Sequence, residues 1–310
     1  RDTSFFFFFS FGFRTTVEDT VNGLNIVLLG GRSNECFYFD QQETWGEMLG
    51  TKLRSKLGIK LNVFNGGKSG LNSQDHIFQV KKLLSEHNWI DIIIIMMGMN
   101  DLGYALSKGE AFSRMPDENI RVRAFYSDVS EENIPIYKQS MIYKKLYRLL
   151  FTASGYILSY NDPEGLFYIS KRNERRAGII VEQKVDLSKS LSNYEENIST
   201  INELCKAKGV QLILIDQATI WENNLSKRYQ DLCWGGFMRD TDQHGVGLYL
   251  SISQLGLLIN EYNSTMEKVS AKNSIPFIKI SSALEKDTST FYDDCHFNES
   301  GARKVSDLLV

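Results

Sequence analysis

The chain has 310 residues, of which 42% are hydrophobic and 24% charged, with a formal net charge of −3. That length can bury a core in one large domain or two modest ones, and the charge balance lacks the basic surplus that a nucleic-acid partner calls for. Cys36, Cys205, Cys233 and Cys295 form no CxxC pair, and His76, His87, His244 and His296 lack HExxH spacing. Free thiols and no metal are expected.

In chain order, residues 1–24 read as a poorly defined arm. Its phenylalanine run, Phe5 to Phe9, is far shorter than the ~20 residues that span a bilayer. The start at Arg1 leaves room for an upstream signal or membrane anchor, so the compartment stays open. Gly12-Phe13-Arg14 reads as an edge segment. Residues 25–29 (NIVLL) form an apolar run into Gly30-Gly31, a strand buried on both faces. Trp45, Met48, Leu49, Leu53 and Leu57 recur at helical spacing, with Gly58 as C-cap. Ile59, Leu61 and Val63 alternate as a second strand into Asn65-Gly66-Gly67, and Ile77, Val80, Leu83 and Leu84 stripe the next helix. Residues 90–97 (IDIIIIMM) are the most hydrophobic strand, expected at the centre, and end at Gly98-Met99-Asn100-Asp101.

From Leu102 to Val185 the pattern weakens, with Pro116, Pro135 and Pro163 interrupting short helical pieces such as 143–151. This insertion, 102–185, reads as a helical cap over the site, or equally as a solvated insertion. Leu187, Leu191, Tyr194, Ile198, Ile201 and Cys205 stripe a helix, with Ser192 and Glu195 as a capping box if it starts there. A strand at 210–215, a long loop at 221–247, a helix striped by Ile252, Leu255, Leu258, Tyr262, Met266 and Val269, a fifth strand at 275–280 and a last helix follow. Alternating strands and helices predict an α/β fold, a three-layer α/β/α sandwich on a mainly parallel, flavodoxin-like five-stranded sheet. Sites in such sheets lie beyond the carboxyl ends of the strands.

Asp293 precedes His296 by three residues on a loop running into a helix, so the carboxylate can take one ring nitrogen and leave the other as a base. Asp294 is the neighbour most easily confused with it. Glycine-rich turns follow three apolar strands, at Gly30-Gly31-Arg32-Ser33, Asn65-Gly66-Gly67 and Gly98-Met99-Asn100-Asp101. With these four segments in this order the chain resembles the SGNH (GDSL-type) hydrolase superfamily over residues 25–310, apart from the insertion. The resemblance implies a serine ester hydrolase without a cofactor. Such an enzyme cleaves an ester or O-acyl (acetyl) group on a lipid, carbohydrate or other small substrate through an acyl-enzyme. It makes His296 the base, with Asp293 holding its second nitrogen and stabilising the imidazolium, and gives the oxyanion to the Asn100 amide, the Gly67 N–H and the nucleophile's own N–H, each donor typically worth ~3 kcal/mol. Taken singly, Gly67 is a turn glycine and Asn100 a strand-end cap; jointly and in family order they point to the site.

One position departs. In the gap-free register the family's nucleophilic serine falls on Arg32, and Ser33 sits one place late. Arginine stays protonated and has no lone pair for attack. Ser33 could take the role, although a one-residue shift on a helix turns a side chain by ~100°. Alternatively the chain is an inactive pseudoenzyme that binds a glycan, acyl or anionic ligand, with Arg32 filling the pocket and pairing with Asp293 or a bound anion. A sequence-level change in an active parent is the third alternative. Glu35-Cys36 and Glu43-Thr44-Trp45 also look like members of the family, which argues against sliding the register. A nucleotide-binding protein is disfavoured, because GGRSNE lacks the GxGxxG and GxxxxGK patterns. Tyr104, Phe125, Tyr126, Trp221 and Trp234 could stack on sugar or line an acyl pocket, and surface packing explains them equally well. The oligomeric state is open.

Overall fold

The computed structural model describes residues 13–15, 22–109, 163–241 and 245–310. Its main sheet holds β1 (Leu24–Gly30), β2 (Leu61–Asn65), β3 (Ile92–Met96), β5 (Gln211–Ile215) and β8 (Phe277–Ile278), in the order β2-β1-β3-β5-β8. Every pairing in it is parallel. Residues 26–30 of β1 and 93–96 of β3 are buried, as unbroken apolar runs demand of strands covered on both faces. Helices α2 (Trp45–Leu57) and α9 (Glu299–Leu308) pack together, as do α3 (Ser73–Glu86), α6 (Ser188–Ala207) and α8 (Ile252–Asn273). The result is the expected three-layer sandwich. One hydrophobic cluster runs through it from Phe13 to Val305.

Local chemistry fixes several boundaries. Gly58 closes α2 in the left-handed region at φ 64°, as a C-cap glycine should. Asn72 caps α3 in a capping box with Asp75. Arg14 pairs through its backbone with Asn65 at the sheet edge, and its guanidinium donates to the Cys36 carbonyl at 2.7 Å. The arm thereby ties β2 to the chain that follows the first turn.

Other expectations are corrected. The second strand starts at Leu61, and all of β2 is buried instead of alternating, while Ile59 lies outside it and is exposed. Helix α6 begins at Ser188, so Ser192 lies inside it and makes no cap; buried Leu187 stands at the N-cap and anchors the earlier start. Only residues 277–278 of the fifth strand pair. The region read as a loop, 221–247, holds α7 (Lys227–Gln230) and β6 (Phe237–Thr241), and β6 pairs antiparallel with β7 (Gly247–Leu250). Across β7 lies β4 (Ile179–Val181), which completes a second, three-stranded sheet. Helix α4 (Met99–Lys108) opens the inserted region, and α5 (Pro163–Ala177) with β4 stands near its end. The helical piece at 143–151, Pro116 and Pro135 lie outside the described residues, as does the phenylalanine run. Among the described residues no helix is long and apolar enough to cross a membrane.

Candidate active site

The sheet order reverses between β1 and β3, since the chain goes from β1 outward to β2 and returns to β3 on the other side. Such a switch point opens a crevice at the carboxyl ends. Here it holds a cavity of about 480 Å³, lined among others by Gly31, Arg32, Ser33, Ser69, Asn100 and His296.

Arg32 and Ser33 begin α1 (Arg32–Glu35), directly after β1. The turn is held from behind by Trp45, fully buried, whose Nε1 donates to the Ser33 carbonyl at 3.2 Å. Burial of such a ring is worth roughly 2–3 kcal/mol. The Arg32 guanidinium reaches into the cavity. Its Nε donates to Ser69 Oγ at 2.8 Å and its Nη1 to the Tyr168 hydroxyl at 2.6 Å. It lies 5.2 Å from the Tyr168 ring centroid and 5.7 Å from that of Phe37, and Glu35 Oε2 is 4.0 Å from Nε. The Ser33 hydroxyl, also at the cavity wall, is tied to the neighbouring loop: its Oγ donates to the Cys295 carbonyl at 3.1 Å.

The loop before α9 brings Asp293 and His296 together. Asp293 Oδ2 is 2.7 Å from His296 Nδ1 and accepts from Trp234 Nε1 at 3.1 Å, while Oδ1 accepts the N–H groups of Cys295 and His296 at 3.1 and 3.0 Å. Both residues are buried. Burial is the largest single influence and opposes the imidazolium, but the Asp293 charge together with Cys295 and the hydrogen bonds to both holds His296 well above its ordinary range. Burial likewise opposes the Asp293 carboxylate, and the His296 charge and N–H donors pull it below the usual range. The His296 ring is boxed by Trp234 and Tyr292, both nearly parallel to it, and by the edge-on ring of Tyr168. Asp294 faces away and accepts from Trp221 Nε1 and the Trp234 N–H, both at 2.7 Å. The pair between Arg32 and Asp293 weighed for an inactive chain is not formed: Trp234, His296 and the loop backbone fill the carboxylate, and Arg32 donates to Ser69 and Tyr168.

Asn100, on the first turn of α4, donates to the Leu71 carbonyl at 2.6 Å. Its amide nitrogen stands over the β1 turn, where a Cβ on Gly31 would come to 3.0 Å from it. The next residue, Asp101, is buried and accepts from Ser73 N–H at 3.1 Å, which fixes α4 against α3. Gly67 is not among the cavity residues. Its N–H donates to Asn65 Oδ1 at 2.9 Å, and its Cα packs on Asn34, where a Cβ would lie 2.6 Å from Asn34 Cβ.

Phe167, Tyr168, Gln217 and Cys295 also line the cavity and were not singled out in the sequence. Tyr168 carried no spacing signal, because it reaches the site from an inserted helix. Of the expected aromatics, Trp234 lines the cavity, Trp221 is buried beneath it on Asp294, and Tyr104 is 3.4 Å from the Gly70 carbonyl. Phe125 and Tyr126 lie outside the described residues, as does His244. The four cysteines are free and buried. Among the described residues one ligand-type group, Asp293, Cys295 and His296, has its ligand atoms within 4.8 Å of one another. Both Asp293 oxygens in it are already occupied by N–H donors.

The family described as GDSL-like lipase/acylhydrolase matches residues 26–309. No curated protein matches the chain. Similar solved structures include LAE5, an alpha/beta hydrolase enzyme from the metagenome of Lake Arreo, Spain, at 10% identity and TM-score 0.49, covering 93% of each chain. Another is Axe2, an acetylxylan esterase from Geobacillus stearothermophilus, at 12% identity and TM-score 0.48, covering 93% of this chain and 92% of that one. The acetyl xylan esterase AlAXEase aligns at 12% identity and TM-score 0.48, over 92% of this chain and 98% of its own.

Proposed function

Because the chain belongs to the GDSL-like lipase/acylhydrolase family, we propose that its cavity receives an ester or O-acyl group, such as acetyl, carried on a lipid, a carbohydrate or another small molecule. The Asn100 amide meets the acyl oxygen. His296, oriented by Asp293, is the proton acceptor. Residue 32 is the seat of the nucleophile, and arginine there makes this chain bind the acyl group without cleaving it. The observation that carries the reading is the guanidinium of Arg32 in the cavity, fixed by Ser69 and Tyr168, with the Ser33 hydroxyl on the Cys295 carbonyl. Gly67 enters this reading only as a turn residue, since its N–H is taken by Asn65.

A serine at position 32 would complete the chemistry. Its hydroxyl proton would pass to His296 as its oxygen bonds to the acyl carbon, and that proton would then leave with the alcohol. Water, deprotonated by the same imidazole, would release the acid. A second reading has Ser33 as a displaced nucleophile, favoured by its lining the same cavity as His296.

Hydrolysis of p-nitrophenyl acetate separates the two. Native protein is expected to match its His296→Ala variant, while Arg32→Ser gains roughly 100-fold or more, as positioned base catalysis supplies, and loses it when His296 is also replaced. Native turnover abolished by Ser33→Ala would establish the second reading instead.

A further inference from the structure

The carboxyl end of β5 supplies the cavity with a polar group that neither acyl binding nor proton transfer uses. Gln217 follows Asp216, whose carboxylate accepts the N–H groups of Ile280 and Ser281 at 2.7 and 2.9 Å. Asn263 on α8 clamps Gln217 from both sides: the Gln217 N–H donates to Asn263 Oδ1 at 2.9 Å, and its carbonyl accepts from Asn263 Nδ2 at 3.0 Å. With the backbone groups taken, what Gln217 offers the cavity it lines is its amide side chain. Nε2 donates to the Ala218 carbonyl at 3.0 Å, a bond only the NH₂ end can make, so the oxygen end is fixed as well. Gln217 is 4% exposed, yet its Oε1 accepts from no described residue and is not sealed in the core. A ligand without a donor leaves such an acceptor unpaired, at a cost of about 1–3 kcal/mol.

No described lining residue is Asp or Glu, so no carboxylate faces the ligand to hold an ammonium, and the donor that suits Gln217 is a neutral one. Tyr168, also in the wall, offers the complement. It accepts from Arg32, burial keeps its hydroxyl protonated, and that proton goes to no described residue. A ligand hydroxyl both donates and accepts, so hydroxyls match both groups. We propose that the acyl group is carried on a polyhydroxylated alcohol, a sugar or another polyol, and that Gln217 selects it by accepting from a hydroxyl near the acylated oxygen. This rests on reading the cavity as an acyl-group site and goes further by naming the alcohol class and the residue that reads it. An acetyl group has no donor of its own, so the hydroxyl belongs to the alcohol portion.

The test is ligand-detected NMR titration of the native chain and of Gln217→Met with glycerol 1-acetate and with propyl acetate, which has the same carbon skeleton without the hydroxyls. The native chain is expected to bind glycerol 1-acetate roughly fivefold or more tighter than propyl acetate, and Gln217→Met to lose that preference. Equal or weaker binding of glycerol 1-acetate by the native chain overturns the polyol assignment while leaving the acyl site standing, and does not depend on the variant folding. An undiminished preference in Gln217→Met overturns the role of Gln217. If neither ester binds, this inference and the acyl-site reading both fail.

Discussion

Four nitrogen contacts converge on Asp293 and none involves Arg32, so the arginine alters the site by occupying space and adding charge, without breaking the carboxylate–imidazole pair. Hydrogen bonds to a charged group contribute about 1.5–3 kcal/mol each, which makes this loop costly to rearrange. A different histidine governs behaviour in acid. His76 on α3 is fully buried, with Nδ1 2.9 Å from Gln79 Oε1 and Nε2 without a hydrogen-bond partner, and burial pushes its pKa down to about 4. As pH falls from 6.5 towards 4, the unfolded chain takes up a proton that the folded one refuses, so stability is lost across that window, by up to ~3 kcal/mol. Asp101, pushed up to about 6 by burial, acts in the opposite sense, because the folded state keeps a proton there that the unfolded state has released. Comparison with His76→Gln removes the Asp101 contribution. Urea unfolding at pH 7 and pH 4.5 should show the native chain losing roughly 2–3 kcal/mol more than the variant; equal losses would contradict the account.

At the scale of elements, α9 acts as the clamp of the reactive loop. A Cβ on Gly301 would lie 2.0 Å from the Thr290 carbonyl, which also accepts the Asn298 N–H at 2.9 Å. Asn298 in turn caps α9 through the Gly301 N–H at 2.8 Å. Gly301→Ala must therefore push the segment that leads into Asp293, at an overpacking cost of roughly 1–3 kcal/mol. Introduced beside Arg32→Ser, it should lower the thermal midpoint by several degrees and remove the gained esterase activity; unchanged values for both would show that the clamp is slack. The elements that were legible in the sequence share one property, a single unbroken period. Residues 93–96 of β3 are buried and apolar, and the stripe of α8 from Ile252 to Val269 faces the core. Strand β6 was not legible, because FMRDT carries no apolar run and, among the described residues, pairs with β7 alone. The start of α6 was left open because a plausible polar cap at Ser192 competes with a hydrophobic anchor at Leu187, and packing wins.

Across the whole molecule, the cleft joins the two ends of the chain. Arg32 leaves β1, Asn100 leaves β3, and His296 precedes the last helix, so the cavity exists only when the complete sheet has formed. The residues proposed to carry the chemistry, Asp293, His296 and Asn100, were readable because each sits in a short motif after a strand. The partners of Arg32 were not, since Ser69 and Tyr168 are 37 and 136 residues away and Tyr168 arrives on an inserted helix. Gly67 shows the limit of motif reading: its place in the turn is as expected, yet the nearby Asn65 side chain claims its N–H. The claim on which the rest depends is that position 32 is the nucleophile's seat and that Ser33 is not activated. Fluorophosphonate labelling followed by peptide mapping tests it directly. The account predicts no label on the native chain and a label at residue 32 of Arg32→Ser that disappears with His296→Ala. A label on Ser33 of the native chain would contradict it.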